Sequence, residues 1–263
     1  MSHGLPRPGW LGWCSYCGCS CACFAATDRF RVRRFKQANL AAPETISIPV
    51  ADLGNTVKEV EQSHKVLLFL ANGYEDLEAT AVLDTCGWTS YRPGLPEVRV
   101  VIAAMQKPVA GRFGTSFSPD LLLNEVRPED YAAIAIPGGF DSHGYAEQAY
   151  EEALLNLIRS VHAKGGVILT MCVGILPVAE AGLLMGKRAT TYSFSRSEDR
   201  RAHLQRCGAT LSDQPVELDD RIISCSGPAH AVRATQLMLR MLLGDTAAEA
   251  IAAYMHGSPA AAV

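Results

Sequence analysis

The cysteine at position 172 stands where one predicted element ends and the next begins. Val167–Met171 is short, apolar and preceded by Gly-Gly, which favours a buried parallel strand. Residues 175–184 favour a helix, and Gly174 permits a sharp turn into it. Such a turn holds a nucleophile at the carboxyl end of a sheet, near the positive end of a helix, where thiolate is favoured over thiol. The alternative is an unreactive core cysteine, and the strand-to-helix turn favours the reactive thiol at Cys172.

Another predicted strand, at 131–136, is followed by Pro137 and then by a glycine pair. The carboxyl ends of parallel strands lie at one edge of a sheet, so Gly138 and Gly139 are expected near Cys172. The backbone N–H groups of Gly139 and Val173 would then form an oxyanion hole. Gly138-Gly139 could also form an ordinary turn, but the position of this pair directly after a buried strand favours a functional site.

Three acids follow the predicted strand at 65–71, at the start of a predicted helix. These are Glu75, Asp76 and Glu78. On the residues alone they fit a solvated helix start, because the helix dipole favours negative charge there. A carboxyl group at the same sheet edge as the thiol is the functional alternative.

The elements that must position these residues alternate along the chain from residue 65. Strands are predicted at 65–71, 99–105, 131–136, 167–171, 187–192 and 221–225, helices at 75–85, 119–126, 146–164, 175–184, 196–207 and 231–243, and a hairpin at 111–117. This alternation predicts an α/β fold with a doubly wound, mostly parallel sheet sandwiched by helices, and ligands at the carboxyl edge of the strands.

Composition argues against several classes of protein. The chain has 263 residues, 48% of them hydrophobic, which is ample for a buried core. Its formal net charge of -3 gives no electrostatic case for nucleic-acid or membrane partners. No apolar run approaches the roughly 18 residues that a membrane helix needs. We therefore expect a soluble, cytoplasmic protein.

The first 63 residues differ in character from the rest. Residues 1–36 are basic and acid-poor and contain five closely spaced cysteines. The other four cysteines are scattered through the rest of the chain, which favours a reducing compartment. The clustered five are Cys14, Cys17, Cys19, Cys21 and Cys23. We predict a disordered or processed extension, with targeting to an organelle (mitochondrion or plastid) or a metal or lipid role as alternatives.

Five segments together resemble a known family. They are ANGYEDLEA, AIAIPGGF, LTMCVGILPVAEAGLL, TTY and SGPAHA. In their order and spacing, residues 65–257 resemble the DJ-1/PfpI (ThiJ/PfpI) family of the class I glutamine amidotransferase-like superfamily. The resemblance implies a flavodoxin-like DJ-1/PfpI domain with a nucleophile elbow at 64–257, between the extension at 1–63 and a tail at 258–263.

The resemblance implies that Cys172 is the nucleophile and Glu78 its acid partner. Such a pair works only if the carboxyl is protonated, because a carboxylate would repel the thiolate. This chain has Tyr192 where many members of the family have a histidine, and a phenol cannot act as a base near neutral pH. His143 and His230 lie near the expected site loops and are candidates for the missing base, although either could be a merely exposed histidine.

Two functions fit these residues. In the first, Cys172 adds to a small reactive carbonyl, as in the cofactor-free glyoxalase III-like, deglycase or hydrolase reactions that the resemblance implies. In the second, the protein is a non-catalytic redox sensor or protective protein whose Cys172 is oxidised to a sulfinate. Peptidase activity is a weaker third possibility because it needs the missing histidine. No signature demands a cofactor or metal, and the resemblance is compatible with a homodimer.

Overall fold

The computed structural model describes residues 64–91, 94–194 and 199–257. The predicted extension at 1–63, with its five cysteines, and the predicted tail at 258–263 lie outside the described residues. Within the described part, no helix has the length and apolar character that crossing a membrane requires.

A seven-stranded sheet forms the centre of the fold, in the order β10-β11-β7-β6-β1-β2-β5. Its strands pair in parallel, except that β10 pairs antiparallel to β11. The strands are β1 (His64–Leu70), β2 (Val98–Ala104), β3 (Val109–Ala110), β4 (Ser116–Phe117), β5 (Leu121–Leu122), β6 (Ala133–Ile136), β7 (Val167–Met171), β8 (Arg188–Ala189), β9 (Thr210–Leu211), β10 (Val216–Asp219) and β11 (Ile222–Cys225). β3 and β4 form a hairpin that begins two residues before the one predicted at 111–117, and β8 pairs with β9.

Helices cover both faces of the sheet. They are α1 (Asp76–Gly87), α2 (Tyr145–Ala149), α3 (Glu152–Ala163), α4 (Ile175–Glu180), α5 (Arg200–Arg206), α6 (Ala231–Leu243) and α7 (Asp245–Met255). Alternate residues of β1 enter two separate buried clusters: Leu67 and Phe69 pack with α3 and α4, whereas Leu68 and Leu70 pack with α1 and α6. A strand buried on both faces reads as an apolar run, which is why its sequence predicts a parallel sheet. The predicted doubly wound α/β class is confirmed.

The long helix predicted at 146–164 is two helices, α2 and α3. Tyr145 and Leu154 are both buried, yet nine positions apart they would point to opposite sides of one continuous helix with about 3.6 residues per turn. The chain therefore breaks at Tyr150 and Glu151, and each helix turns its own apolar face inward.

Four other predictions of elements were wrong in type or extent. Residues 119–126 form β5 and a short 3-10 turn rather than a helix, because Asp120 pairs with the backbone of Ile102 through both its amide and its carboxylate. α4 ends at Glu180, before Gly182 with its left-handed φ of +80°. The strand predicted at 187–192 is only β8, and α5 is shorter than the predicted helix at 196–207, of which residues 196–198 lie outside the described residues.

Candidate active site

The turn between β7 and α4 places Cys172 in the left-handed region, with φ +54°. Left-handed backbone is strained for a residue with a side chain and is typical of nucleophile elbows. The turn also needs two glycines. A Cβ on Gly174 would lie 2.2 Å from the carbonyl oxygen of Ile136, and a Cβ on Gly138 would lie 2.7 Å from the Cβ of Cys172. The ends of β6 and β7 therefore approach closely enough to form one site.

Replacing Gly138 by alanine should destabilise the protein by about 1–3 kcal/mol, because the added methyl group overpacks the elbow. Its Cβ would meet the Cys172 side chain and, at 3.0 Å, the Val173 amide nitrogen. Urea unfolding measures the effect. Gly87→Ala is the matched control: Gly87 ends α1 with nothing within 4 Å of an added Cβ, so that change should be neutral or slightly stabilising. Equal effects of the two substitutions would contradict this account of the elbow.

Glu78 lies beneath this elbow, fully buried in the first turn of α1. One carboxyl oxygen, Oε2, accepts a hydrogen bond of 2.7 Å from the Gly138 amide. The other, Oε1, is buried and has no hydrogen-bond partner among the described residues. Burial, together with the charge of Glu75, raises the pKa of Glu78 to about 8 against the opposing Gly138 hydrogen bond. Glu78 is thus protonated near neutral pH, which meets the condition for an acid beside a thiol.

The two neighbouring acids, Glu75 and Asp76, make different hydrogen bonds. Neither is solvated at the helix start in the way that the sequence alone would suggest. Glu75 caps α1, its Oε2 accepting from the Glu78 amide at 2.8 Å. Asp76 accepts from the amides of Phe113 at 2.8 Å and Thr115 at 2.7 Å, which anchors the β3–β4 loop over the site. Burial opposes charge on Asp76, but these bonds outweigh it and lower its pKa. All three acids are at least nine-tenths buried.

Cys172 itself is partly exposed at the floor of a cavity. The expectation that the helix end favours its thiolate was wrong. Burial, reinforced by Glu78, raises the pKa of Cys172 well above its usual value, although the Val173 amide and Arg200 act in the opposite direction. A helix of six residues that starts three positions later contributes too little to reverse the cost of burying the charge. The resting site therefore holds a thiol.

The two predicted oxyanion-hole amides lie in different environments. Gly138 and Phe140 use their amides for bonds to Glu78 and Gly73, whereas the Gly139 amide between them has no hydrogen-bond partner among the described residues. The Val173 amide lies next to the Cys172 thiol and lowers its pKa. The Gly139 amide, in the lining of the cavity, is therefore available to a substrate oxygen, and the Val173 amide lies beside the sulfur that would attack it.

A cavity of about 510 Å³ opens above the thiol. Loops from several strand ends line it: Glu75, Phe113, Gly139, Phe140, Asp141, Ser142, Cys172, Tyr192, Phe194, Arg200 and Pro228. Thr191 fixes the loop before Tyr192, because its hydroxyl donates to the Cys172 carbonyl oxygen at 3.0 Å. Tyr192 thus reaches the cavity as the sequence indicates, whereas His143 and His230 are not among the residues that line it. His143 is exposed and pairs with Ser142, so neither histidine is placed here as a base.

Sequence reasoning missed three residues of this site. Arg200 lies in a segment predicted to be an exposed charged helix, yet it lines the cavity, and its buried Nε has no hydrogen-bond partner among the described residues. Cys225 is buried beside the elbow, where its thiol donates to the Gly227 carbonyl oxygen at 3.6 Å, and burial raises its pKa to about 12. Tyr145 is buried and donates to the Pro137 carbonyl oxygen at 2.8 Å, fixing the glycine turn. Only long-range contacts reveal these roles, so no local pattern could have identified them.

Comparison with known proteins identifies relatives over most of the described chain. The model of the DJ-1/PfpI family matches residues 64–241. Deglycase PfpI of Pyrococcus furiosus is 27% identical over 62% of this chain and 90% of its own length. Protein DJ-1 homolog A of Arabidopsis thaliana is 26% identical over 72% of this chain but only 46% of its own length, so the present chain spans less than half of that relative.

A solved structure confirms the fold. The crystal structure of Drosophila melanogaster DJ-1beta superposes with a TM-score of 0.64 at 22% sequence identity. The match covers 75% of this chain and the whole of the other. At that identity the likeness concerns the architecture of the sheet and its helices.

Proposed function

The chain belongs to the DJ-1/PfpI family, whose model spans more than half of it, and from that premise we propose that Cys172 acts on small reactive carbonyl compounds without a cofactor. The reaction class is glyoxalase III-like or deglycase-like. The relative named Deglycase PfpI, at 27% identity, supports this class. The proposal concerns the domain that the structure describes.

One observation carries the proposal: a strained, partly exposed thiol faces a cavity, and behind it lies a fully buried carboxyl group whose pKa burial raises to about 8. A buried structural cysteine needs neither the left-handed backbone nor the buried acid with an unpaired oxygen. Both cost stability, and such costs concentrate at functional sites.

The first chemical step is addition of the thiol to an aldehyde. The sulfur of Cys172 bonds to the carbonyl carbon, and the carbonyl π electrons move to oxygen, which the Gly139 amide stabilises. The thiol proton reaches that oxygen by way of Glu78, whose buried Oε1 has no hydrogen-bond partner among the described residues in the resting site and has to turn toward the sulfur and the oxygen. Glu78 gives one proton and takes one, so its charge is the same before and after the step. In the glyoxalase reaction the hemithioacetal rearranges by proton transfer between adjacent carbons, and water releases the acid and restores the thiol.

The cavity favours small oxygen-rich substrates. Its volume of about 510 Å³ admits a three-carbon dicarbonyl, and its lining contains the Arg200 guanidinium, which pairs with Asp141 at 3.8 Å. A carbonyl or carboxylate oxygen beside the aldehyde can accept from that guanidinium. Methylglyoxal, which would give lactate, is therefore the first substrate to examine.

A redox function is the second candidate, supported by the lack of any histidine among the described residues that line the cavity. Without a base, carbonyl turnover would be slow, while the thiol could still be oxidised. Oxidation of Cys172 to a sulfinate adds two oxygens from two equivalents of peroxide, and the Gly139 amide and Glu78 could hold them.

One experiment separates the two functions. Purified full-length protein is incubated with methylglyoxal, with lactate measured over time, and in parallel with dilute peroxide, with intact and peptide mass measured. Lactate produced in many turnovers per chain supports the enzyme. Addition of two oxygens at Cys172 without lactate formation supports the sensor. If neither lactate nor oxidation is observed, Cys172 is an inert core cysteine.

Replacing Tyr192 by histidine should raise lactate formation about tenfold or more, because it adds a group that can take protons near neutral pH. Tyr192 lines the cavity with Cys172 and stands next to the anchored Thr191. Steady-state kinetics with methylglyoxal provides the measurement, and Tyr192→Phe, which removes the hydroxyl without adding a base, is the control. An unchanged rate in Tyr192→His would mean that a missing base does not limit this site.

A further inference from the structure

A second group of reactive side chains lies outside the cavity, between α4 and α5. It consists of Glu180, His203 and Cys207, whose ligand atoms all lie within 4.8 Å of one another. Glu180 is the last residue of α4, and His203 Nε2 lies 2.7 Å from its Oε1. His203 lies in α5, and Cys207, four positions later, is the residue that caps the end of that helix, so the two side chains lie on the same side of it. The proposed carbonyl chemistry uses none of the three.

We propose that Glu180, His203 and Cys207 bind one zinc ion, which links α4 to α5. A thiolate, an imidazole and a carboxylate are the ligands that proteins use for zinc, at bond lengths of about 2.0–2.3 Å. Around a tetrahedral ion such bonds place ligand atoms roughly 3.3–3.8 Å apart. The most distant ligand atoms therefore need to approach by at most about 1.5 Å, and the 2.7 Å pair of His203 and Glu180 needs to separate by roughly 0.6 Å or more, which side-chain rotation supplies.

The surroundings allow the ion to enter and to stay. Glu180 is exposed, and its side chain and that of His203 retain 43% and 26% of their accessible surface. Solvent can therefore deliver the ion and occupy the fourth position. Cys207 packs against the buried cluster on the α3–α4 face of the sheet, which holds the thiol in place. On binding, Cys207 releases its proton to solvent and the sulfur lone pair forms the bond to zinc, with no change of oxidation state.

The ion would connect two elements that carry the cavity. α4 follows the Cys172 turn, and α5 begins at Arg200, which lines the cavity. A bond network between the ends of these helices fixes their separation. We therefore infer a structural site that stabilises the folded protein, and it holds whether or not the carbonyl chemistry proposed above is correct.

The test uses the full chain with Cys14, Cys17, Cys19, Cys21 and Cys23 replaced by serine, because those thiols could bind zinc themselves. After dialysis against zinc and removal of free metal, the bound zinc is measured by inductively coupled plasma mass spectrometry. In a separate titration, cobalt is added to detect the thiolate-to-cobalt absorption band. We expect one zinc per chain and a cobalt band. Both should be lost in Cys207→Ser, and zinc affinity should fall about tenfold or more in His203→Ala.

His162→Ala is the matched control, because His162 also pairs with a carboxylate, Asp220 at 3.2 Å, but has no cysteine in that pair. It should retain zinc and the cobalt band. Added zinc should also raise the thermal midpoint of the background protein and of His162→Ala, but not of Cys207→Ser. Circular dichroism checks that each variant is folded. No zinc bound by the folded background, or equal zinc in Cys207→Ser, would overturn the proposal.

Discussion

Replacing Cys172 by serine should lower lactate formation from methylglyoxal about a thousandfold or more. The reason is that serine keeps the shape of the site but removes the nucleophile: a hydroxyl is a far weaker acid than a thiol, and the same burial that raises the pKa of Cys172 opposes an alkoxide even more. When several catalytic residues act together, removing the nucleophile alone abolishes nearly all of their combined contribution to the rate. Lactate formation by equal amounts of folded protein measures the effect.

The control is Cys86→Ala, which removes a thiol that is fully buried against the α1–α6 face of the sheet. Burial raises the pKa of Cys86 to about 12, so it is expected to take no part in the reaction. Peptide mass after peroxide treatment should show added oxygen at position 172 in wild type and Cys86→Ala, and none there in Cys172→Ser. Lactate formation by Cys172→Ser at the wild-type rate would remove the thiol from the mechanism.

The elbow could be predicted from sequence because its causes are local. A short apolar run after Gly-Gly and a turn with Gly174 specify Val167–Met171 and the start of α4. The buried face of α3, formed by Leu154, Leu157, Ile158 and Val161, likewise follows from helical spacing. Periodicity and glycine position act within a few residues, and sequence displays them directly.

The ionisation of the site could not be predicted, because it depends on groups far apart in the chain. The pKa of Cys172 reflects its burial and the nearness of Glu78 and Arg200, which come from three separate segments. A local argument from the helix dipole gave the opposite direction. The break between α2 and α3 also depends on tertiary packing and could not be predicted from sequence. Only the packed structure shows that Tyr145 and Leu154 are both buried.

Glu78→Gln should remove a pH dependence of stability that wild type shows between about pH 4.5 and 8. Glutamine matches the shape of the protonated acid and can still accept the hydrogen bond from the Gly138 amide. The pKa of Glu78 rises from 4.5 in the unfolded chain to about 8 in the folded protein. At about 1.4 kcal/mol per pH unit, the linked change in the free energy of unfolding is about 5 kcal/mol.

The sign follows from proton counting. Between these two pKa values the folded protein holds a proton on Glu78 that the unfolded chain has released, so stability falls as pH rises. The contribution is complete below about pH 4.5 and is lost by about pH 8. Urea unfolding of both proteins across this range gives the difference, in which the titrations of Glu75 and Asp76 largely cancel. Parallel curves for wild type and Glu78→Gln would mean that Glu78 is ionised in the folded protein.

The same proton connects stability to the reaction. If Glu78 carries the thiol proton to the substrate oxygen, lactate formation should fall as pH rises through about 8, where the folded protein loses that proton. The unfolding data fix this pKa independently of any substrate. Agreement of the two titrations would show that the buried acid acts in its protonated form, because a purely structural acid would leave the rate unchanged while stability fell. Glu78→Gln should then be stable at pH 8 but slow at every pH, which separates its effect on the fold from its effect on the chemistry.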